Sequence, residues 1–118
     1  MARDFLTRPS AVVGFVRTMG KLVIDDKITL NAICPGIVRT AISTGDFHDK
    51  AEEKGLLVGP KILIESFESL LGTNTTSGET IEVLPDGYLI KKGAEYTNER
   101  CKESVEMTYQ RTLKAKAS

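Results

Sequence analysis

The side chains that could do chemistry are few in this chain of 118 residues. His48 is the only histidine, and Cys34 and Cys101 are the only cysteines. Two cysteines do not make a disulfide framework, and no Cys/His spacing suits zinc, so we expect reduced thiols and no metal site. His48 stands in a polar segment with no motif around it, and we expect it to be a solvated loop histidine.

One stretch combines a strand pattern with a turn that could hold a ligand. Residues 28–34 are apolar on both faces in their second half, as in a buried parallel strand, and Pro35-Gly36 ends the run abruptly. Thr40 follows the turn at capping distance. Spacing alone favours a plain Pro-Gly turn with a capping threonine.

The elements that would position this turn begin with a helix. Apolar periodicity predicts it over residues 9–24, with Pro9 in the first turn. Gly14 lies inside this helix, where close packing against a neighbour would account for a glycine. The predicted buried face consists of Val12, Phe15, Val16, Met19, Leu22 and Val23.

The second half of the chain predicts two more helices and a strand. A short helix is predicted near residues 45–54, inside a loop at 41–58, and Gly59-Pro60 opens another helix that Gly72 stops. The buried stripe predicted for that helix is Leu63, Phe67, Leu70 and Leu71. Residues 79–84 alternate as a strand does, Pro85-Asp86-Gly87 forms a turn, and residues 94–115 favour a charged helix.

Strands that alternate with helices favour a parallel α/β sheet. Two strands are too few for a stable sheet of this kind, so the sequence predicts an incomplete domain. The charge is balanced, with 16 basic and 16 acidic residues, which argues against nucleic acid as a partner. Because no run has the length of a signal peptide core or a membrane span, we expect a cytoplasmic protein without membrane contact.

Three stretches in order resemble one protein family. The run Asn31-Ala32-Ile33-Cys34-Pro35-Gly36-Ile37-Val38-Arg39-Thr40 closely resembles the N-x-[IV]-x-P-G-x-[VI]-x-T stretch of short-chain dehydrogenase/reductases. Residues 11–17 resemble the family helix that follows the catalytic Tyr-x-x-x-Lys, and residues 76–83 resemble its last strand, T-G-x-x-[IL]-x-V-D-G-G. Residues 84–88 replace the V-D-G-G ending as in fungal members similar to 15-hydroxyprostaglandin dehydrogenase. The resemblance covers about residues 5–90.

The resemblance implies a fold, an activity and a cofactor. Residues 1–90 would be the C-terminal part of a Rossmann-like, doubly wound parallel sheet, followed by a charged helix or tail at 91–118. The family oxidises secondary alcohols or reduces ketones with NAD or NADP, and the resemblance implies such an activity here, with small-molecule biosynthesis as one expected setting. The sequence does not choose between the two cofactors or name the substrate.

The resemblance also assigns roles to positions of this chain. The loop that faces the nicotinamide would consist of Pro35, Gly36, Val38 and Thr40, with the Val38 backbone and the Thr40 hydroxyl bonding the cofactor. Residues 41–58 would be a substrate lid, and such loops close over reacting centres. Its apolar inner surface would be Ile42, Phe47, Leu56 and Leu57, unless these residues only pack the lid down.

The family's acid/base pair is missing. In the resemblance, Phe5 and Pro9 occupy the Tyr and Lys positions, so no catalytic residue is expected. The Gly-rich phosphate loop has no counterpart, and we expect neither cofactor to bind tightly to this chain alone. Two explanations remain open: a truncated form of an enzyme, or a non-catalytic interaction module that associates with itself or with a full-length homologue.

Overall fold

The computed structural model describes residues 2–41, 44–91 and 95–118, with side chains from residue 11 onward in those ranges. The described chain is an α/β structure with a small mixed sheet of three strands and four α-helices. In chain order the elements are α1 (Ala2–Val23), a 3-10 turn (Ile24–Asp26), β1 (Ala32–Pro35), α2 (Gly45–Glu53), α3 (Pro60–Glu68), β2 (Thr80–Leu84), β3 (Gly87–Lys91) and α4 (Glu99–Ala117).

The sheet has the order β1-β2-β3. Strands β1 and β2 are parallel neighbours, as the sequence predicts, and Ala32 stands opposite Thr80. Strand β3 was not predicted: it returns antiparallel to β2 after the turn at Pro85-Asp86, with Gly87 as its first residue rather than part of the turn. The parallel pair is therefore confirmed, but the sheet as a whole is mixed.

The core lies between this sheet and helix α3. Val58, Ile81 and Val83 are its buried centre, and Val83 is fully buried. Because Ile81 and Val83 alternate along β2, they share one face of the sheet, and that face is the one that α3 covers. The half-buried hydrophobic residues packed around this centre are Ile33, Val38, Ile62, Leu63 and Leu70.

Helix α3 begins at Pro60, as predicted, but its buried face is rotated from the predicted stripe. The most buried residue is Ser66, whose Oγ donates to the carbonyl of Leu63 at 2.6 Å and is satisfied without water. Phe67 and Leu71 are 52% and 68% exposed, so their predicted burial is wrong. A helix turns about 100° per residue, and a face centred on Ser66 directs Phe67 away from the sheet.

Helix α1 extends upstream of the predicted start, so Pro9 lies inside it rather than in its first turn. Its contacts with β1 and β2 involve its second half, where Val16 and Gly20 are buried. Val12 and Phe15 are 55% and 59% exposed, contrary to the prediction.

Helix α4 is the predicted charged helix. Its N-cap is Asn98, whose side chain accepts from the backbone N–H of Cys101 at 2.9 Å. It packs along α1, where Lys21 lies over the Tyr109 ring, and Lys116 pairs with Asp26 of the 3-10 turn that follows α1. Among the described residues, no helix is both long and apolar enough to cross a membrane.

Candidate functional site

The two parallel strands end at the same edge of the sheet. Beyond β1, the Gly36 N–H donates to the carbonyl of Val83 at 2.9 Å, so the Pro35-Gly36 turn stays attached to β2. In open α/β sheets, ligands bind at the carboxyl ends of parallel strands. The Pro35-Gly36 turn therefore lies at the carboxyl-terminal ends of the parallel strands, which is where open α/β sheets bind ligands.

The opposite ends of the same strands are fixed by side-chain hydrogen bonds. Asn31 Nδ2 donates to the carbonyl of Thr76 at 2.8 Å, and Asn31 Oδ1 accepts from the N–H of Glu79 at 3.1 Å. Asn31 thus bonds the chain on both sides of Ser77-Gly78. A one-residue slip would lose both bonds, so Asn31 sets the register of β1 against β2.

Ser77 joins three segments at this same end. Its Oγ accepts from the N–H of Leu30 at 3.1 Å and donates to the carbonyl of Gly20 at 2.7 Å. Helix α1 can approach so closely only because residue 20 is glycine: a Cβ there would lie 2.3 Å from the Gly78 nitrogen and 2.8 Å from the Leu30 carbonyl oxygen. The close packing predicted for Gly14 is wrong, since no described atom outside the neighbouring backbone of its own helix lies within 4 Å of a Cβ built on it.

Val58 and Val83 lie close to Gly36 in the turn. A Cβ on Gly36 would lie 3.4 Å from Val58 Cγ2 and 3.5 Å from the Val83 carbonyl oxygen. A larger side chain would therefore crowd Val58 or cover the outward backbone of the turn. Pro35 and Gly36 are exposed, and the next residue, Ile37, accepts from the N–H of Val58 at 2.7 Å.

Val38 and Thr40 continue this loop. The Val38 side chain is half-buried against the core, whereas no hydrogen bond from the described residues reaches its backbone N–H or C=O. Thr40 is exposed. Among the described residues, the backbone groups of Val38 thus have no hydrogen-bond partner, whereas the Gly36 N–H and the Ile37 carbonyl bond the core below.

Helix α2 stands beside this loop, and Arg39 ties the two together. Its Nη2 lies 3.1 Å from Asp49 Oδ1 and 2.8 Å from Glu52 Oε2. All three side chains are largely exposed, and exposed ion pairs contribute about 0–1 kcal/mol each. The connection between loop and helix is therefore specific in geometry but weak.

The proposed lid residues differ in their exposure. Phe47 and Leu56 are 49% and 47% exposed, while Leu57 is half-buried and forms a parallel bridge with Ile37. Ile42 lies outside the described residues. The side chains that anchor the segment are instead buried residues of α2 and of the strand-like stretch after it: His48, Ala51 and Val58.

The prediction that His48 is solvated is wrong, because it is 2% exposed. Its Nε2 has no hydrogen-bond partner among the described atoms, and its ring centroid lies 6.0 Å from that of Phe47. His48 and Ala51 are three residues apart and so share one face of α2. This three-residue spacing is visible in the sequence. Once α2 is assigned as a helix, the spacing predicts that His48 lies on the same inward face as Ala51.

The family's Tyr and Lys positions both fall within α1. Phe5 and Pro9 are four residues apart on that helix, and their side chains lie outside the described part of the chain. No protein-family model, curated protein or solved structure matches the chain.

Proposed function

We propose that this chain is the C-terminal portion of a fold like that of the short-chain dehydrogenase/reductases, and that it supplies the turn facing the nicotinamide and the substrate lid. The observation that carries the proposal is the parallel pairing of β1 with β2, held in register by Asn31. Asn31 belongs to one resemblance motif, and its bonding partners Thr76 and Glu79 belong to the other. Two motifs far apart in sequence therefore meet in space.

The residues of the turn fit the nicotinamide end of a dinucleotide. Gly36 leaves the backbone uncovered, and Val38 has a backbone N–H and C=O that the described residues do not use. These groups match a carboxamide, which needs one acceptor and one donor. When bound, NAD or NADP would supply the hydride chemistry, and Pro35, Gly36, Val38 and Thr40 would orient its ring.

We further propose that this chain alone does not catalyse turnover. Oxidising a secondary alcohol needs a base for the hydroxyl proton, and Phe5 and Pro9 cannot accept or stabilise one. The isolated protein, mixed with NAD or NADP and a panel of secondary alcohols, should give no reduced cofactor above background. Turnover would show that another residue supplies the base.

A chimera tests the assignment of the turn. Residues 11–118 would replace the matching segment of an active short-chain dehydrogenase/reductase that keeps its own phosphate loop, Tyr and Lys. We expect cofactor-dependent turnover, and we expect Gly36→Val to raise the KM for the cofactor. Gly87→Val is the control, because a Cβ on Gly87 has no described atom within 4 Å apart from its chain neighbours. A folded chimera in which both variants behave alike would contradict the proposal.

A second candidate function is that of an interaction module, favoured by exposed apolar residues on α1 and before β1. Val12 and Phe15 on α1, and Ile28 before β1, are all more than half exposed. Burying a side chain of this size is worth about 1.5–3 kcal/mol, so together they favour a covered state. The partner would be another copy or a full-length homologue. Light scattering at micromolar concentration tests this, and a monomer that melts in one sharp transition would contradict it.

A further inference from the structure

The outer edge of β3 carries backbone groups that the sheet does not use. The carbonyls of Glu79 and Val83 accept bonds from β1, so the odd-numbered residues of β2 direct their backbone groups toward β1. The even-numbered residues therefore bond β3, through their partners Gly87, Leu89 and Lys91. Between these lie Tyr88 and Ile90, whose N–H and C=O groups must point out of the sheet.

The side chains along this edge are apolar and exposed. Tyr88, Leu89 and Ile90 are 40%, 49% and 52% exposed. Natural sheets protect free edges with proline, bulges or charges, and β3 has only Lys91 at its end. An apolar edge of this kind is a template for pairing with another strand.

We propose that β3 pairs antiparallel with β3 of a second copy of this chain, around a twofold axis at Leu89. Tyr88 of each copy would then face Ile90 of the other, and the two pairs would exchange four backbone hydrogen bonds. The result is a continuous sheet of six strands. This inference does not depend on the proposed dehydrogenase ancestry.

Self-complementarity favours a second copy over a different protein. Tyr88 and Ile90 are two positions apart, and Leu89 lies between them. A twofold axis at Leu89 therefore pairs the outward N–H and C=O groups of both residues with those of the second copy. An aromatic residue then meets a β-branched one, and Lys91 faces Gly87 rather than a second lysine. Lys91 also keeps its in-chain partner, because its Nζ lies 3.9 Å from Glu82.

The exposed area leaves room for such an interface. The chain exposes 9320 Å², whereas a compact monomer of its mass should expose about 6,300 Å². The excess is about 3,000 Å², and a standard interface buries about 800 Å² per partner. One interface at β3 therefore uses only part of the surface that the described fold leaves uncovered.

A charge at the axis gives the sharpest test. In the proposed pairing, Leu89→Lys brings two lysines face to face, which destabilises strand pairs. Within one copy the same lysine stands opposite Glu82, so the fold should tolerate it. The matched control is Met107→Lys, the same charge change at a 74% exposed residue of α4.

Size-exclusion chromatography with light scattering reads the result at micromolar concentration. We expect the wild type and Met107→Lys to elute at twice the chain mass of 12.9 kDa. Leu89→Lys should elute at the chain mass, with a dissociation constant for the dimer at least about tenfold larger than that of the wild type. A thermal melt by circular dichroism checks that each variant is folded. Ile90→Pro is a second disrupting variant, because it removes an outward N–H that β2 does not use.

Mixing Leu89→Lys with Leu89→Glu should restore the dimer, since unlike charges then face each other at the axis; circular dichroism must first show that Leu89→Glu is folded, because it stands opposite Glu82. A monomeric wild type would overturn the proposal, as would a dimer that survives Leu89→Lys or a mixture that stays monomeric. A dimer that is lost only on Ile33→Pro would place the interface at β1 and overturn it too. None of these outcomes depends on cofactor turnover, so the proposed function succeeds or fails separately.

Discussion

The two outer edges of the sheet differ in what their backbones can bond. Along β1, Ala32 and Gly36 donate toward β2, so Ile33 and Pro35 face outward. Proline has no N–H, so Ile33 supplies the only outward donor within β1. Along β3, both outward residues, Tyr88 and Ile90, have a donor and an acceptor. The edge beside the candidate site is thus poorly suited to self-pairing, whereas the far edge is well suited to it.

This difference separates two possible partners. An antiparallel pair of β1 strands from two copies could share only the bonds of Ile33, whereas a β3 pair shares four. The β1 edge instead suits one parallel strand from elsewhere, as the proposed dehydrogenase ancestry implies. If both proposals hold, β1 pairs with a parallel strand from elsewhere and β3 pairs with a second copy of this chain. Each pairing can then be disrupted without affecting the other.

The largest effect is expected on the β1 side, from Gly20→Val. Its side chain would collide with the backbone of Gly78 and Leu30, which cannot move without separating α1 from the sheet. We expect a loss of at least about 3 kcal/mol in the free energy of unfolding, measured by urea denaturation.

The control for that variant is Gly14→Ala, another glycine change in α1. With no described atom outside the neighbouring backbone of its own helix within 4 Å of the added Cβ, it should stabilise the chain by up to about 1 kcal/mol through helix propensity alone. Equal losses at both positions would mean that the contact between α1 and Gly78 does not hold the β1 side.

A smaller loss is expected from Asn31→Ala, which removes both bonds that set the register of the parallel pair. Leaving the partly buried Glu79 N–H and Thr76 carbonyl unpaired should cost about 1–3 kcal/mol in urea denaturation. Asn98→Ala is the comparison, since it removes one N-cap bond and should fray only α4. If the two variants melt alike, the register of β1 does not rest on Asn31.

Amide hydrogen exchange sharpens the contrast between the edges directly. In the wild type at micromolar concentration, the Tyr88 and Ile90 amides should exchange at least about tenfold more slowly than in Leu89→Lys, because pairing covers them. The Ile33 amide should exchange at the same rate in both proteins. Slow exchange at Ile33 that Leu89→Lys relieves would place the partner at β1.

The smallest effect is expected from Arg39→Ala. It removes the ion pairs with Asp49 and Glu52, which are exposed and should together contribute less than about 1 kcal/mol. The fold should remain, while the amides of α2 exchange faster. Arg111→Ala on α4 is the matched control. If it changes the exchange of the α2 amides equally, the ion pairs of Arg39 do not hold α2 beside the loop.

The sequence predicted the elements whose signals are local. Pro60 marks the start of α3, and the apolar run before Pro35 marks β1, because proline and burial leave traces in adjacent residues. Strand β3 was missed because Gly87 was assigned to the turn and the three residues after it do not alternate. Local pattern does not reveal whether a glycine ends a turn or begins a strand.

The residues whose burial was predicted wrongly depend on tertiary packing. Phe67 is exposed because Ser66, which looks polar in sequence, satisfies its hydroxyl within α3 and so tolerates burial. His48 is buried because the face of α2 that it shares with Ala51 points inward. For the candidate site, the sequence predicted a role for Pro35-Gly36, which stays a prediction, but it predicted neither the burial of His48 nor the ion pairs from Arg39 to α2.

The register that Asn31 sets has a consequence for the order of folding. Asn31 and Thr76 are 45 residues apart, so the parallel pair forms only after a long loop has closed. The hairpin of β2 and β3 is local, and hairpins form within about 1–10 μs. The apolar strand Tyr88-Leu89-Ile90 is therefore assembled while β2 still awaits β1. During that interval the edge of β2 that β1 later covers is unpaired, so concentrated refolding should give more aggregation than dilute refolding.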